Sequence, residues 1–564
     1  MHPSAEFKPL AEVLTNRQKW LLLGSLMLAM FVSAIDQTVV STATPRILAD
    51  LGGFHLLSWL FTSYMLASTV VVPLVGKLSD IFGRKIFILV GLVLFMLSSV
   101  LCGAATSMEG LIIFRAIQGI GGGILMASVF TSVGDIFSPA ERGKYMGLFT
   151  GVFSLASVLG PTVGGFLTDN GGWRWVFYIN VPFTLIAIPA IWFNLPSRPN
   201  LRRPKIDYAG ALILTGAAIT VLLGFEWAGR KYAWGSPEIV ALLGSGVALT
   251  GLFIWQERRH PEPILPLFLF KNRTFVLCNA MVLVMGIGMM GALQYLGLFV
   301  QTALGASATA AGIIGTPQSL GLLVASIFGG QMIARTGRYR IQTILGAVVI
   351  LIAMLWLRTV DVGMPMWRIS ANMVVLGLGF GLVMPTVSLI SQNSVSYQFL
   401  GVASSANQFF RQIGGVFGVA VFAAMLTQSY EASFEERVGA ENRAVLGEQL
   451  YDFFGDPTAQ LSPVAFAQAS AQVRALPDGE ALLATATAAQ RSSVAEATRG
   501  IFTIAAIIAG LSILLIVFLP EVPLRKDFKG AQPRPGGAPA DGAKVAGAAA
   551  GPAEPGSVPA GGGQ

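Results

Sequence analysis

Two charges stand deep in apolar stretches of this sequence, Asp36 in "IDQTVVSTATP" (Ile35 to Pro45) and Arg115 in "RAIQGIGGG" (Arg115 to Gly123). Charges are costly in hydrocarbon and mostly functional where they persist. Asp36 is the only carboxylate well inside a predicted helix, and the chemistry open to a lone carboxylate is to bind and release a proton. Ser33, Gln37, Ser41 and Thr44 recur at helical spacing around it, so one face of its helix is polar. Each charge lies about six residues from the same end of its segment, roughly 9 Å deep at about 1.5 Å per residue, which lets the two pair. Burial disfavours a charged carboxylate while a neighbouring guanidinium favours it, so opening and closing the contact would switch the acid between holding and releasing a proton. The alternative is an ion pair that only holds helices together. A third charge, Arg411, falls about ten residues into a later segment, roughly 15 Å deep, with Ser404, Asn407 and Gln408 on nearby turns. It either attracts an anionic group or bonds backbone carbonyls as a structural cation.

A charged island, "GKLSDIFGRK" from Gly76 to Lys85, separates two long apolar segments. Gly83 permits a tight reversal, and Lys77, Arg84 and Lys85 place cations at a membrane surface, where basic residues favour the cytoplasmic side. A weaker copy, "GQMIARTGR", carries Gly330, Gly337 and Arg338 at one constant offset from Gly76, Gly83 and Arg84. The chain therefore reads as a duplication. Ala334 stands where Asp80 would be, so whatever that carboxylate does is done once, in the first half.

With 54% hydrophobic and 12% charged residues and a mean hydropathy of +0.68, the 564-residue chain is too apolar for a soluble globule. The net charge of +8 lies in short loops rather than on one basic face, which argues against nucleic acid as a partner. Cys102 and Cys278 lie in apolar runs and His2, His55 and His260 are scattered, so neither a disulfide framework nor a metal site is expected. No nucleophile arrangement or paired buried carboxylates suggest an enzyme, and no cofactor is implied. Fourteen segments are apolar enough to span, near 20–42, 55–75, 86–106, 111–133, 145–168, 176–194, 209–226, 238–256, 276–300, 309–333, 341–358, 368–390, 402–427 and 500–519. The excess of Lys and Arg then puts both termini in the cytoplasm.

The pattern G-x-x-x-D-x-x-G-R-K resembles the signature loop of the major facilitator superfamily. The stretch around Asp36 is similar to the first-helix motif of that family's fourteen-helix drug:proton antiporters, although Ser41 replaces the usual asparagine. "RAIQGIGGG" resembles the fourth-helix motif whose arginine the family associates with proton coupling. Gly151, Gly160, Pro161, Gly164 and Gly165 are similar to its "GP-x-x-GG" antiporter motif; glycines four apart also leave a plain strip for close packing.

The resemblance implies an all-α integral membrane protein of two pseudo-symmetric six-helix bundles plus an inserted helix pair. On that frame residues 1–19 are a cytoplasmic N-terminus, 20–194 the first bundle, 195–275 a linker and the inserted pair, and 276–519 the second bundle with a long external loop at 428–498. Residues 520–564, rich in Gly, Pro and Ala, form a cytoplasmic tail without a fold of its own. "YEASFEERVGAENRAVLGEQLY", Tyr430 to Tyr451, reads as an amphipathic helix over the outer mouth or on the membrane, or as part of a solvated spacer. Asp36 and Arg115 are the implied proton-coupling pair. Gly76, Asp80, Gly83, Arg84 and Lys85 are the gating loop, with Asp80 meeting the start of the thirteenth helix near Leu400, whose dipole favours an anion. Gln37, Gln118, Gln318 and Asn407 are candidate cavity residues, together with Arg411 and the helical stripe of Met285 and Met289, beside Met281. The implied function is proton-coupled export of lipophilic or amphipathic small molecules across the cell membrane by alternating access, as a monomer. The alternative is export of a lipid or endogenous metabolite, with the external loop assisting handover.

Overall fold

The computed structural model describes residues 14–53, 56–196, 206–229, 231–306, 310, 314–461 and 463–521. The proline-rich link "SRPNLRRPK" (Ser197 to Lys205) and most of the terminal tail lie outside the described residues. Apolar runs of spanning length become helices because only a helix satisfies every backbone polar group within one segment. They are α1 (Asn16–Leu51), α2 (Leu57–Phe82), α3 (Arg84–Gly103), α4 (Met108–Ile136), α5 (Pro139–Asn170), α6 (Trp175–Asn194), α7 (Tyr208–Trp227) and α8 (Pro237–Glu257). After them come α9 (Arg273–Thr302), α10 (Gly315–Thr336), α11 (Arg340–Leu357), α12 (Met366–Asn393), α13 (Leu400–Phe454) and α14 (Gly479–Val517). Thirteen helices among the described residues are long and apolar enough to cross a membrane. The segment expected at 309–333 is α10, 22 residues long, and it is not among the thirteen; Gln318, Ser319, Ser326, Gln331 and six glycines and threonines dilute its apolar content.

Two cores divide the molecule. One joins Leu22, Phe95, Val129, Phe149 and Phe177 from α1 and α3–α6; the other joins Phe299, Ile350, Phe380, Phe422 and Phe502 from α9 and α11–α14. Between the halves, α5 packs on α10 and α2 packs on α13. The pair α7–α8 packs on itself and reaches α2 and α13 through α7, beside that second seam.

Several boundaries depart from the sequence expectation. α1 runs on to Leu51 rather than ending near 42, with Pro45 inside it, which puts Asp36 near the helix middle rather than six residues from its end. The segment 428–498, expected as an external loop, is folded: α13 continues to Phe454, bending where Gly439 and Gly447 adopt φ of 76° and 71°, and a short helix (Pro463–Arg474) leads into α14. Tyr430, Phe434, Val438, Phe454, Val473 and Leu482 are buried in the same core as α9 and α11–α14, so this segment is an extension of the second bundle rather than a spacer. Tyr430 donates to Phe454 O at 2.7 Å, and Arg437 pairs with Glu496 at 2.9 Å.

Candidate functional site

α1, α3, α4 and α6 bring five polar side chains to one dry point. Arg115 Nη1 donates to Asp36 Oδ2 at 2.6 Å and to Gln118 Oε1 at 2.7 Å. Gln118 Nε2 donates to Asp36 Oδ1 at 2.9 Å and Asn180 Nδ2 donates to the same oxygen at 2.8 Å. Ser99 Oγ accepts from Gln118 Nε2 at 2.7 Å, and Arg115 Nε reaches Leu60 O at 3.3 Å. The guanidinium lies 4.4 Å from the Tyr64 ring centroid, and the Tyr64 hydroxyl meets Ser33 Oγ at 3.3 Å. Asp36 is fully buried and Arg115 is 1% exposed, so the pair is protected from water on all sides. The helices approach this closely because α4 is glycine-rich where it crosses α2: a methyl group on Gly119 or Gly122 would overlap Tyr64.

The second assembly is the Gly76–Lys85 loop. Gly83, at φ 92°, ends α2 and starts α3, and Gly337, at φ 67°, ends α10 at the corresponding place in the second half. Arg84 bonds Asp80, donates to Asp135 Oδ2 at 2.9 Å and reaches Ser79 Oγ at 2.6 Å. Asp80 in turn accepts from the backbone N–H groups of Gly401 at 3.2 Å and Val402 at 3.3 Å, the free donors at the start of α13. Lys77 pairs across to Glu262 at 2.9 Å, on the segment joining α8 to α9, while Lys85 lies 5.1 Å over the Trp192 ring. The seams close at this end. A Cβ on Gly76 would strike Ser405, one on Gly330 would strike the Gly143 backbone, and one on Gly147 the Ser326 backbone.

The remaining candidates fall apart into separate roles. Gly160 and Gly164 receive Thr38, Val39 and Thr42 of α1, Gly151 faces Leu323 of α10, and Gly165 has open space beside it. Pro161 sits within α5 without ending it. Gln118 belongs to the Asp36 cluster rather than to a passage. Met285 and Met281 are buried in the second core, beside a small cleft lined by Gly288, Ile350, Met354 and Phe380; Met289 is half-buried. Gln37 is exposed, Gln318 is buried on α10, and Asn407 and Arg411 share one face of α13. Sequence reasoning missed Asn180, Ser99, Tyr64 and Asp135. The first three are uncharged, and Asp135 sits at the end of an apolar run where a carboxylate passes for a loop residue.

The Major Facilitator Superfamily model matches residues 26–419, which is most of the chain. The chain belongs to the major facilitator superfamily. A relative described as multidrug transporter protein MdtP, from Bacillus subtilis (strain 168), is 42% identical over 72% of this chain and 75% of its own length. Multidrug resistance protein 3 of the same organism is 37% identical over 73% of this chain and 80% of that one. An uncharacterized MFS-type transporter of Mycobacterium tuberculosis (strain ATCC 25618 / H37Rv) is 40% identical, and the match spans 59% of its length. Among solved structures, the major facilitator proton:xylose symporter XylE is similar with a TM-score of 0.57 at 14% identity, over 92% of this chain and 99% of that one. The human organic anion transporter MFSD10 gives 0.56 at 15% identity. This major facilitator chain is thus a multi-pass membrane transporter and not an enzyme.

Proposed function

We propose that the protein is a proton-coupled exporter of lipophilic or amphipathic small molecules, working as a monomer in the cell membrane with both termini cytoplasmic. The observation that carries this reading is the Asp36 carboxylate, sealed in the first bundle and held by Arg115, Gln118 and Asn180. An acid in hydrocarbon with a dissociable cation partner is the element a proton relay needs. Proton uptake at Oδ2 would set the new O–H against Arg115 Nη1–H, two donors facing one another, and the contact would open. The freed arginine and the neutral acid would then favour a different packing of α1 and α4.

The Asp80 clasp supplies the second requirement, a closed cytoplasmic side that can part. Its acceptor groups belong to the first half and its donors to the second, so the clasp exists only while α2 and α13 are together. Rocking of the two bundles around the seams α2–α13 and α5–α10 would alternately expose a midplane passage. The test is substrate movement in sealed vesicles containing the purified protein under an imposed pH gradient, with lipophilic dyes as cargo. Uphill movement that collapses with the gradient supports antiport; movement that follows only the cargo's own gradient would reject it. A second reading, export of a lipid or an endogenous metabolite, draws on the folded external extension of α13 and α14, a structured surface at the expected exit.

A further inference from the structure

Arg115 and Arg411, each well inside its helix, are treated very differently by their surroundings. Arg115 has an acid, an amide, a carbonyl and a ring. Arg411 lies about 16 Å along α13 from its start, half-buried, and its hydrogen bond goes to Gln408 Oε1 on its own helix. Among the described residues no carboxylate is within ion-pair distance of Arg411 and no backbone carbonyl accepts from it. The neighbouring amide, Gln412, gives its oxygen to Thr69 of α2. Among the described residues Arg411 is therefore held by one neutral amide oxygen rather than by the carboxylate or backbone carbonyls that fix a structural cation.

One turn along the same face, Asn407 is 5% exposed and its Oδ1 accepts from Ser388 Oγ at 2.9 Å. Its amide Nδ2 is buried with no acceptor. The stripe thus carries one cation without a carboxylate partner and one buried amide donor without an acceptor, and a buried donor without a partner is a standing cost that a ligand oxygen would relieve. Charge points the same way. Asp36 is neutralised by Arg115, which leaves Arg411 a midplane charge with no oppositely charged partner among the described residues. One turn further out, Gly415 faces the exposed Met290 side chain of α9, a flexible thioether surface suited to an apolar body.

We propose that Arg411 and Asn407 form a recognition site for a singly anionic head group, a carboxylate, sulfonate or phosphate, on an amphipathic compound. The guanidinium takes the anionic oxygen and the Asn407 amide takes a second oxygen, while the apolar body lies along α9 and α13 toward Met290. This rests on the exporter reading above and assigns the charge of its cargo.

The test is equilibrium binding by the full-length protein in neutral detergent, read by fluorescence, with 11-(dansylamino)undecanoic acid and its methyl ester as probes. The two differ only in the charge at issue. The acid is expected to bind at least ~10-fold more tightly than the ester, as a charge-assisted bond supplies. R411Q should remove that preference while leaving the ester within about twofold, R411K should keep part of it, and N407A should weaken the acid by about threefold. Equal binding of acid and ester by the unaltered protein, or a preference that survives in R411Q, would overturn the proposal. Should R411Q fail to fold, seen as lost ester binding and aggregation, the unaltered protein and N407A decide alone. Competition separates the sources of such a head group. Displacement by phosphatidylglycerol but not octanoate marks a membrane lipid, displacement by octanoate marks a free acid, and displacement by neither counts against the site. Because binding is read without a gradient, acid selectivity with no pumping in vesicles would sink the exporter reading alone. Gradient-driven pumping of neutral dyes without acid selectivity would sink only this one.

Discussion

Asp36 accepts three hydrogen bonds, from Arg115, Gln118 and Asn180, and these leave an asparagine no orientation that suits. If the amide nitrogen of D36N replaced Oδ2 it would face the arginine, and if it replaced Oδ1 it would face two amide donors. The substitution therefore imitates the protonated acid. Uphill efflux driven by a pH gradient is expected to vanish while cargo binding by the purified variant stays, and pumping at the unaltered rate would remove Asp36 as the carrier. Arg115→Ala should uncouple as well and should cost about 3–5 kcal/mol of stability, since it strands a buried carboxylate. Arg115→Lys keeps the charge without the planar fork and should retain a fraction of the activity. Asn180→Leu removes one charge-assisted bond, about 1.5–3 kcal/mol, and should slow pumping about tenfold or more in the same vesicles. The pairing of Asp36 with Arg115 was legible in the sequence because a charge in an apolar run stands out against its neighbours. Asn180 was not, because a neutral amide inside "FYINVPF" barely changes the polarity of the segment and its partner lies on a helix far along the chain.

Helices carry these residues in, and in the proposed scheme a helix end closes the side of the molecule that holds the Gly76–Lys85 loop. Asp80 binds two backbone donors at the start of α13, so Asp80→Asn weakens an anion-to-dipole contact without altering shape. The expected result is a shift toward the state open at that end. Maleimide labelling of cysteines placed at Ser128 or Ser404, both buried in the closed state, should rise about tenfold. Unchanged labelling with intact transport would remove Asp80 from gating. A bulkier residue at Gly164 acts on a different seam: its Cβ would meet Thr42 Oγ1 and the Val39 backbone, so Gly164→Val should cost about 1–3 kcal/mol, read as a lower Tm. The meeting of Asp80 with α13 near Leu400 was foreseen from the single carboxylate in two copies of the loop together with the family pattern. The length of α1 was not, because Pro45 reads as a stop, although proline is tolerated within membrane helices where neighbouring groups satisfy the freed carbonyl.

At the scale of the whole molecule, the duplication in the sequence became two cores that meet along two glycine-lined seams, and the segment expected as an external loop became part of the second core. That last outcome was hidden because the apolar residues of 428–498 are interspersed with ten acids and many small residues and form no run of spanning length, while Phe434, Val438, Phe454, Val473 and Leu482 join one core only once the chain has folded back. The fold-back also defines how to remove it. Ser433 Oγ meets Glu496 at 2.8 Å and Arg437 pairs with Glu496 at 2.9 Å, so α13 and α14 still run side by side at that level. A Gly/Ser linker of about six residues, able to span roughly 13 Å, would therefore replace residues 438–495 without pulling the spanning helices out of place. Neither the Asp36 centre nor the Asp80 clasp touches the removed part, so gradient-driven efflux of small dyes should survive nearly intact. Stability should fall, because the ring contact of Phe434 with Tyr451 and the hydrogen bond from Tyr430 to Phe454 O are lost with the removed part. Lipid transfer to acceptor vesicles is the discriminating measurement. Loss of lipid transfer with dye efflux spared would favour a lipid cargo handed over by the extension. Loss of dye efflux in a variant that still folds would make the extension part of the pump itself, and if both activities stayed normal neither role for it would stand.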